Sequence, residues 1–141
     1  MDRNDEEARS YAADVATRWT DALSKRDVEG LLALYHPEIV LESPVIYALG
    51  LKPPGIRRGL RELRELLETV VARTPAVRRF HRTPPLTDGR ILMWENPRDA
   101  PDGDQMDFVE VMELEGGLIR RHRIYWGWYG VGVIVRDEYH H

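Results

Sequence analysis

Two adjacent glycines, Gly116 and Gly117, interrupt a run of alternating side chains that extends from Met106 to Trp128. Alternation with a period of two is typical of β-strands, and a glycine pair between two such runs favours a tight turn. The run therefore predicts two antiparallel strands, 106–115 and 118–128, that form a hairpin. This hairpin constrains the fold strongly because it determines which side chains share a face.

One face of the first predicted strand is apolar except for Glu110. The other members of this face are Phe108, Met112 and Leu114. A carboxyl group among hydrophobic neighbours often donates or accepts a proton in catalysis. We therefore predict Glu110 as a catalytic acid or base, and the alternative is a structural ion pair with an arginine such as Arg120.

The length of the hairpin loop decides which residue lies opposite Glu110. A two-residue loop places Arg123 there, whereas a three-residue loop from Glu115 to Gly117 places His122 there. The longer loop is favoured because it produces an apolar inner face. With His122, that face then carries Leu118, Ile124 and Trp126.

In the favoured register, Glu110 and His122 form a catalytic dyad. The carboxylate holds the imidazole in one tautomer while the other ring nitrogen faces a substrate. The alternative for His122 is a core histidine that is bonded to a neighbouring group, because a shift of one residue would send it to the opposite face.

Helical periodicity dominates the chain before the hairpin. Helices are predicted at 5–25, 27–35 and 60–70, and strands at 38–47, 77–83 and 90–95. This order predicts an α+β domain in which a cone-shaped, curved antiparallel sheet wraps around three N-terminal helices. We expect a single domain, 1–141, with a cavity at the mouth of the cone.

Composition excludes several classes of function. The 141 residues include 20 basic and 24 acidic side chains, a net charge of −4, and the basic residues form no long run, so nucleic-acid binding is not expected. Cysteine is absent, and no apolar run approaches the ~20 residues of a membrane span, so we expect a cytoplasmic protein.

No cofactor is expected, and no metal site is predicted from His36, His81 and His122, which lack ligand spacing. The terminal pair His140 and His141 receives no weight.

Aromatic and apolar side chains on several predicted elements are typical of a pocket for a small, largely apolar molecule. Packing in the core is the alternative role for each aromatic residue. The residues predicted to bind substrate are Trp19, Tyr35, Ser43, Tyr47, Trp94, Phe108, Met112, Ile124 and Trp126.

Two segments carry a family resemblance. Residues 15–45 read VATRWTDALSKRDVEGLLALYHPEIVLESPV, and residues 106–127 read MDFVEVMELEGGLIRRHRIYWG. Both resemble the nuclear transport factor 2-like superfamily, in particular its ketosteroid isomerases and SnoaL-like polyketide cyclases. The resemblance implies the cone-shaped α+β fold with an enclosed pocket.

The resemblance also relates functional positions of that superfamily to residues of this chain. The oxyanion tyrosine of the isomerases falls on Trp19, their general-base aspartate on Ser43, and their protonated aspartate on Glu110. The catalytic aspartate of the similar limonene epoxide hydrolases falls on Ile124, and an acid in a related SnoaL-like pattern falls on Gly127. Only Glu110 is acidic among these five positions.

These observations lead to two hypotheses about function. The first is an enzyme that uses Glu110 and His122 for isomerisation, cyclisation, dehydration or epoxide opening of an oxygenated metabolite. The second is a non-catalytic module of the same fold that binds a small molecule or mediates assembly. We also expect a homodimer, because the predicted outer sheet face is too apolar for solvent. That face carries Val109, Val111, Ile119 and Tyr125.

Overall fold

A computed structural model describes residues 2–73, 83–100 and 103–136 of the chain. Its helices are α1 (Arg3–Ser24), α2 (Val28–Leu32), α3 (Pro44–Ala48), α4 (Gly59–Arg73) and α5 (Trp128–Val135). Its strands are β1 (Tyr35–Glu42), β2 (Ile56–Arg58), β3 (Leu86–Thr87), β4 (Ile91–Glu95), β5 (Arg98–Asp99), β6 (Gln105–Met106), β7 (Phe108–Glu115) and β8 (Leu118–Trp126).

Six of these strands form one curved sheet in the order β2-β1-β8-β7-β4-β3, while β5 and β6 form a separate pair. The predicted α+β class is confirmed, with a sheet that packs against the N-terminal helices. The prediction of a wholly antiparallel sheet is wrong at one place, because β1 and β8 are parallel. A long connection that contains α4 joins these two strands, as a parallel pair requires.

The β7–β8 hairpin has a register that differs from both predictions. Its loop is the two-residue turn, since Glu115 pairs with Leu118, but a β-bulge follows in which Arg120 is the extra residue. The bulge shifts the remaining pairs by one, so Glu110 lies opposite Ile124 and His122 lies opposite Met112. Glu110 and His122 are therefore diagonal neighbours on the same face.

The bulge also changes which residue lies inside at the start of β8. Ile119 is fully buried in the core, whereas Leu118, which was predicted on the inner face, is only half-buried. Ile119 was predicted on the outer face of the sheet. Because the bulge inserts one residue, it reverses the inside and outside positions before Arg120 and leaves those after it unchanged.

Two segments that were predicted as strand are helical. The predicted strand 38–47 ends at Glu42, and Ser43 then caps α3 by accepting a hydrogen bond from the Val45 N–H at 3.3 Å. A serine followed by proline is a typical start of a helix. The predicted strand 118–128 ends at Trp126, and α5 begins after Gly127. The predicted strand 77–83 lies almost entirely outside the described residues.

Helix α1 covers the inner face of the sheet. Asp2 caps its N-terminus by accepting from the Asn4 N–H. At the hairpin turn, the Tyr11 hydroxyl, itself half-exposed, donates to the carbonyl of Gly117 at 2.8 Å, and this bond fixes the helix against β7 and β8. The residues of α1 that are buried in the core are Ala12, Val15, Ala16, Trp19, Ala22 and Leu23.

The outer face of the sheet is more polar than the sequence pattern predicted. Glu113 on β7 forms ion pairs there with Arg123 and Arg90, beside an exposed Tyr125. Ile119 faces the core, so it is not part of the apolar outer face that was predicted to form a dimer contact. The homodimer stays a prediction. No helix of the described part of the chain has the length and hydropathy needed to span a bilayer.

Candidate active site

The inner face of the sheet places its side chains in rows that cross the strands. In the first row, Leu41, His122, Met112 and Leu92 are successive partners across β1, β8, β7 and β4. In the second row, Ile124, Glu110 and Trp94 are partners across β8, β7 and β4. In the third row, Trp126 pairs with Phe108, whose carbonyl accepts from the Asn96 N–H. The strand pairing therefore brings Glu110 and His122 into adjacent rows.

A cavity lies between these rows and the helices. It contains about 70 Å³ of space that is open to the centre of a water molecule, and its lining is mostly apolar. At roughly 10–15 Å³ for one such water, the interior is larger than a packing defect. The lining residues are Trp19, Leu23, Tyr35, Leu41, Ser43, Val45, Leu49, Leu66, Leu67, Val70, Arg98, Phe108, Glu110, His122, Ile124, Trp126 and Ile134.

Glu110 and His122 are in contact inside this cavity. The His122 Nε2 and Glu110 Oε2 atoms are 3.3 Å apart, and the two side chains are 1% and 2% exposed. The predicted dyad is thus present as a contact, although through a diagonal pair and not a directly opposed one. His122 bonds only one carboxyl oxygen, which leaves Oε1 for a substrate.

A chain of hydrogen bonds continues behind His122. The Tyr35 hydroxyl lies 2.8 Å from His122 Nδ1, and Trp19 Nε1 donates to the same hydroxyl at 2.9 Å. The Glu110 carboxylate only accepts hydrogen bonds, so the proton of a neutral imidazole lies on Nε2, which donates to Glu110. Nδ1 is then an acceptor from the Tyr35 hydroxyl, whose oxygen in turn accepts from the indole N–H of Trp19. The network assigns this tautomer without any input from a ligand.

Tyr35 is well suited to hold this network in place. Burial raises the pKa of the Tyr35 phenol far above its ordinary value of 10.0, an effect that the Trp19 hydrogen bond opposes and the nearby Glu110 charge increases. The phenol therefore keeps its proton and remains a donor to Nδ1. The Tyr35 and His122 rings are also stacked, with an interplanar angle of 23°, while Trp19 meets the imidazole edge-on at 80°.

The indole N–H of Trp19 already has a partner. The resemblance relates Trp19 to the oxyanion tyrosine of the isomerases, and in this chain the N–H donates to the Tyr35 hydroxyl. Trp19 therefore contributes to the cavity as an apolar wall and as the end of the hydrogen-bond network. A donor for a substrate oxygen has to come from another residue.

The structure brings most of the predicted substrate-binding residues to the cavity. Three of them do not line it. Tyr47 on α3 is 70% exposed. Trp94 is buried and packs edge-to-face on Trp19, with 5.6 Å between ring centroids, and Met112 is fully buried in the row of His122. The predicted residues that do line the cavity are Trp19, Tyr35, Ser43, Phe108, Ile124 and Trp126.

Several lining residues were not predicted from the sequence. Arg98 on β5 is the most important, because it brings a positive charge to a mostly apolar wall. The apolar stripe of α4 was recognised, but its position over the cavity depends on tertiary packing. The same applies to the short helices α3 and α5 beside the cavity. The unpredicted apolar residues are Leu23, Leu41, Val45, Leu49, Leu66, Leu67, Val70 and Ile134.

In the described part of the chain, four buried polar side-chain atoms without hydrogen-bond partners lie in or beside the second and third rows. Among the described residues, the indole nitrogens of Trp94 and Trp126 and both amide atoms of Asn96 are buried and form no hydrogen bond. An unsatisfied buried polar group costs about 1–3 kcal/mol, so such a concentration is unusual in a structural core. Trp126 is the member of this group that lines the cavity.

The described residues show no metal centre at this site. Nowhere in residues 2–73, 83–100 and 103–136 do three or more histidine, cysteine, aspartate or glutamate side chains gather as a metal-binding group. His36 lies on β1, where its Nδ1 accepts from the Glu38 N–H at 3.0 Å. His81 lies outside the described residues.

The sequence matches the SnoaL-like domain over residues 16–122, which is most of the chain and includes Trp19, Glu110 and His122. The chain belongs to the SnoaL-like family. The resemblance found in the sequence is thus confirmed, and the six-stranded sheet of this SnoaL-like domain agrees with it. Among curated proteins, none matches this sequence.

Solved structures similar to this SnoaL-like domain confirm the fold. An NTF2-like protein of unknown function from Burkholderia pseudomallei is 19% identical with a TM-score of 0.69, covering 89% of this chain and 95% of its own. A steroid delta-isomerase from Pseudomonas aeruginosa is 19% identical with a TM-score of 0.63, covering 91% and 88%. TerC, co-crystallised with polyporic acid, is 16% identical with a TM-score of 0.65, covering 87% and 96%.

Proposed function

We propose that this SnoaL-like protein is an enzyme that uses Glu110 for general acid/base catalysis on a small, largely apolar, oxygenated molecule. The observation that carries the proposal is a buried carboxylate in an apolar cavity, in contact with a histidine that is hydrogen-bonded from behind by Tyr35 and, through it, by Trp19. A purely structural carboxylate has no need of such a network or of a cavity beside it.

The reaction that this geometry supports best is proton transfer at a carbon next to a carbonyl group. Glu110 Oε1 takes a proton from that carbon, and the electrons of the C–H bond move into the carbonyl to form an enolate. Return of the proton from Glu110 to a different carbon gives an isomer. Attack of the enolate carbon on a second carbonyl carbon of the same molecule gives a ring, and the alkoxide formed there takes the proton back from Glu110. The His122 Nε2–H group keeps its proton, donates a hydrogen bond to Oε2 throughout and holds the carboxyl group in place.

Two of the similar structures support this choice of chemistry. One is a steroid delta-isomerase, and the other, TerC, was co-crystallised with polyporic acid. At less than 20% identity they establish the fold of this chain, and their ligands only suggest the kind of molecule to test. The apolar lining of the cavity favours a substrate of the same general character.

Deuterium exchange tests the proposal without knowledge of the natural substrate. The protein is incubated in D₂O with 3-cyclohexen-1-one or 2-tetralone, and loss of the α-proton signal is followed by ¹H NMR. We expect acceleration over buffer by the wild type, and a loss of about 10²- to 10⁴-fold in Glu110→Gln. Glu113→Gln, the same substitution on the outer face of β7, should leave the rate unchanged.

Two results of the exchange experiment would contradict the proposal. A Glu110→Gln protein that is folded by circular dichroism and exchanges at the wild-type rate removes Glu110 from catalysis. Wild-type protein that accelerates neither ketone over buffer would reject proton abstraction as the function.

The second candidate is a module that binds a small molecule without transforming it. The observation that favours it is the absence of acids at Ser43 and Ile124, both of which line the cavity and occupy positions that the resemblance relates to catalytic aspartates. Binding of the ketones without exchange would support this candidate.

A further inference from the structure

We propose that the substrate is an acid, with an apolar body and one carboxylate or ionised enol that binds to Arg98 and Trp126. This inference rests on the proposed function, because it places the acidic group relative to the carbon from which Glu110 takes a proton. It assigns different tasks to the two charged side chains that line the described cavity.

The sheet determines where Arg98 lies relative to Glu110. Phe108 precedes Glu110 by two residues on the same face of β7, which corresponds to about 7 Å along the strand. The Arg98 guanidinium lies over the Phe108 ring, 5.2 Å from its centroid. The positive charge is therefore one row away from the carboxylate.

Trp126 supplies a neutral donor in the same row. Its ring meets Phe108 edge-to-face with 4.4 Å between centroids, and Phe108 is its partner across the hairpin. The Trp126 Nε1–H is buried, and within the described part of the chain it has no hydrogen-bond partner. Because an indole nitrogen only donates, an oxygen acceptor of a ligand is the group that satisfies it.

The positive charge of Arg98 is the reason why we expect the oxygen acceptor of the ligand to be an acidic group. Arg98 carries the positive charge of the wall and Glu110 the negative one, His122 and Ser43 are polar, and the other described residues of the wall are hydrophobic or aromatic. An arginine recognises a carboxylate with two parallel hydrogen bonds, and its planar group packs on an aromatic ring at the same time. The central carbon of the Arg98 guanidinium lies 5.2 Å from the centre of the Phe108 ring, so this recognition would take place at the Phe108 end of the cavity. The acidic group of the substrate binds beside Arg98 and Phe108, and the carbon from which Glu110 takes a proton lies about one row away.

Matched pairs of acids and amides test this inference. Benzoate and benzamide, and 2-naphthoate and 2-naphthamide, have nearly the same shape and differ in charge. Isothermal titration at pH 7.5 should show that the wild type binds at least one acid about tenfold more tightly than its amide. Arg98→Met should lose this preference while its affinity for the amide changes less than twofold, and Arg98→Lys should keep part of it.

Further variants separate the contributions. Arg121→Met removes the same charge from an exposed position of β8 and should keep the preference of the wild type. Trp126→Phe should weaken acid and amide alike, because both lose the N–H donor. Circular dichroism confirms the fold of each variant, and Arg98→Lys serves as the measure if Arg98→Met does not fold.

The outcomes distinguish this inference from the proposed function. Glu110→Gln should lose deuterium exchange and still prefer the acids, since it lacks only the proton acceptor. Exchange without any preference for the acids would overturn the acid site and leave the acid/base proposal intact. A preference that survives in both Arg98→Met and Arg98→Lys would also overturn it, because the charge would then come from another residue.

Discussion

Two glutamates of β7, three residues apart, lie on opposite faces of the same sheet and have opposite surroundings. Glu113 faces outward, where Arg123 donates a hydrogen bond at 2.5 Å and Arg90 lies 3.4 Å away. The hydrogen bond from Arg123 lowers the pKa of Glu113 below its ordinary value of 4.5. Glu110 faces inward, where its partner is His122 at 3.3 Å.

The two carboxylates differ in the charge of the side chain that is hydrogen-bonded to them. An arginine keeps its proton at every physiological pH, so Glu113 stays ionised and serves the outer face as a fixed charge. His122, with its proton on Nε2, is an uncharged hydrogen-bond donor, so the partner of Glu110 is not a fixed positive charge. The two partners, His122 and Arg123, are neighbours in the chain, and the alternation of the strand alone sends them to opposite faces.

The largest expected effect that separates the two faces concerns packing. Met112→Ala should lower the free energy of unfolding by about 2–5 kcal/mol, because Met112 is fully buried beside His122. Met93→Ala, on the outer face of β4 where the side chain is 41% exposed, should cost less than about 1 kcal/mol. Urea denaturation measures both, and equal costs would contradict the assignment of the faces.

The next effect concerns the two partners on β8. His122→Phe should slow deuterium exchange by about 10- to 100-fold, because the Glu110 carboxyl loses the donor that orients it. Arg123→Gln should leave the exchange rate unchanged. The pH profile of the rate separates positioning from general loss of structure: we expect its shape to change in His122→Phe and to stay the same in Arg123→Gln.

Alkaline pH should destabilise the inner site through Tyr35. Its folded-state pKa is raised, so its stabilising contribution is complete below the ordinary value of 10.0 and is lost as the pH rises above it. Unfolding free energies between pH 9 and 11 should fall more gently in Tyr35→Phe than in the wild type, by up to about 1.4 kcal/mol per pH unit. Identical slopes would show that the buried phenol does not resist ionisation.

The smallest effect belongs to the outer face. Glu113→Gln should cost no more than about 1 kcal/mol, and the cost should shrink as salt is added, since the ion pair is near solvent. The lowered pKa of Glu113 means that its contribution is present above pH 4.5 and is lost as the pH falls through the folded-state value. The variant should therefore lose less stability than the wild type on acidification, and chemical denaturation from pH 6 to pH 2 provides the comparison.

The sequence pattern predicted that Glu110 and His122 lie on the inner face, but it did not predict the register of their strands. The period of two identified the inner face of β7 and selected Glu110 on it. The three-residue loop was the wrong choice. The structure has a two-residue loop and a bulge at Arg120, and the alternation of side chains along one strand does not reveal a bulge. The shift of one residue that it introduces keeps His122 on the inner face, as the three-residue loop would have done.

Local signals explain the other differences. Ser43 and Pro44 form a helix start, yet the alternation of apolar residues continued through them and favoured a strand. The run of apolar residues in α5 follows Gly127, where the predicted strand simply extended to Trp128. Short apolar runs fit a strand or a buried helix equally well, so their periodicity did not decide between the two.

The sequence by itself determined the fold class, the apolar inner face of the hairpin and the one acid on it, because these depend on the spacing of side chains along one segment. Tertiary structure decided the rest. The network from Trp19 through Tyr35 to His122 joins residues that are 16 and 87 positions apart, and Arg98 reaches the cavity from a separate pair of strands. Hydrogen bonds and charge contacts of this kind act over a few ångströms, so they exist only after packing has brought distant segments together.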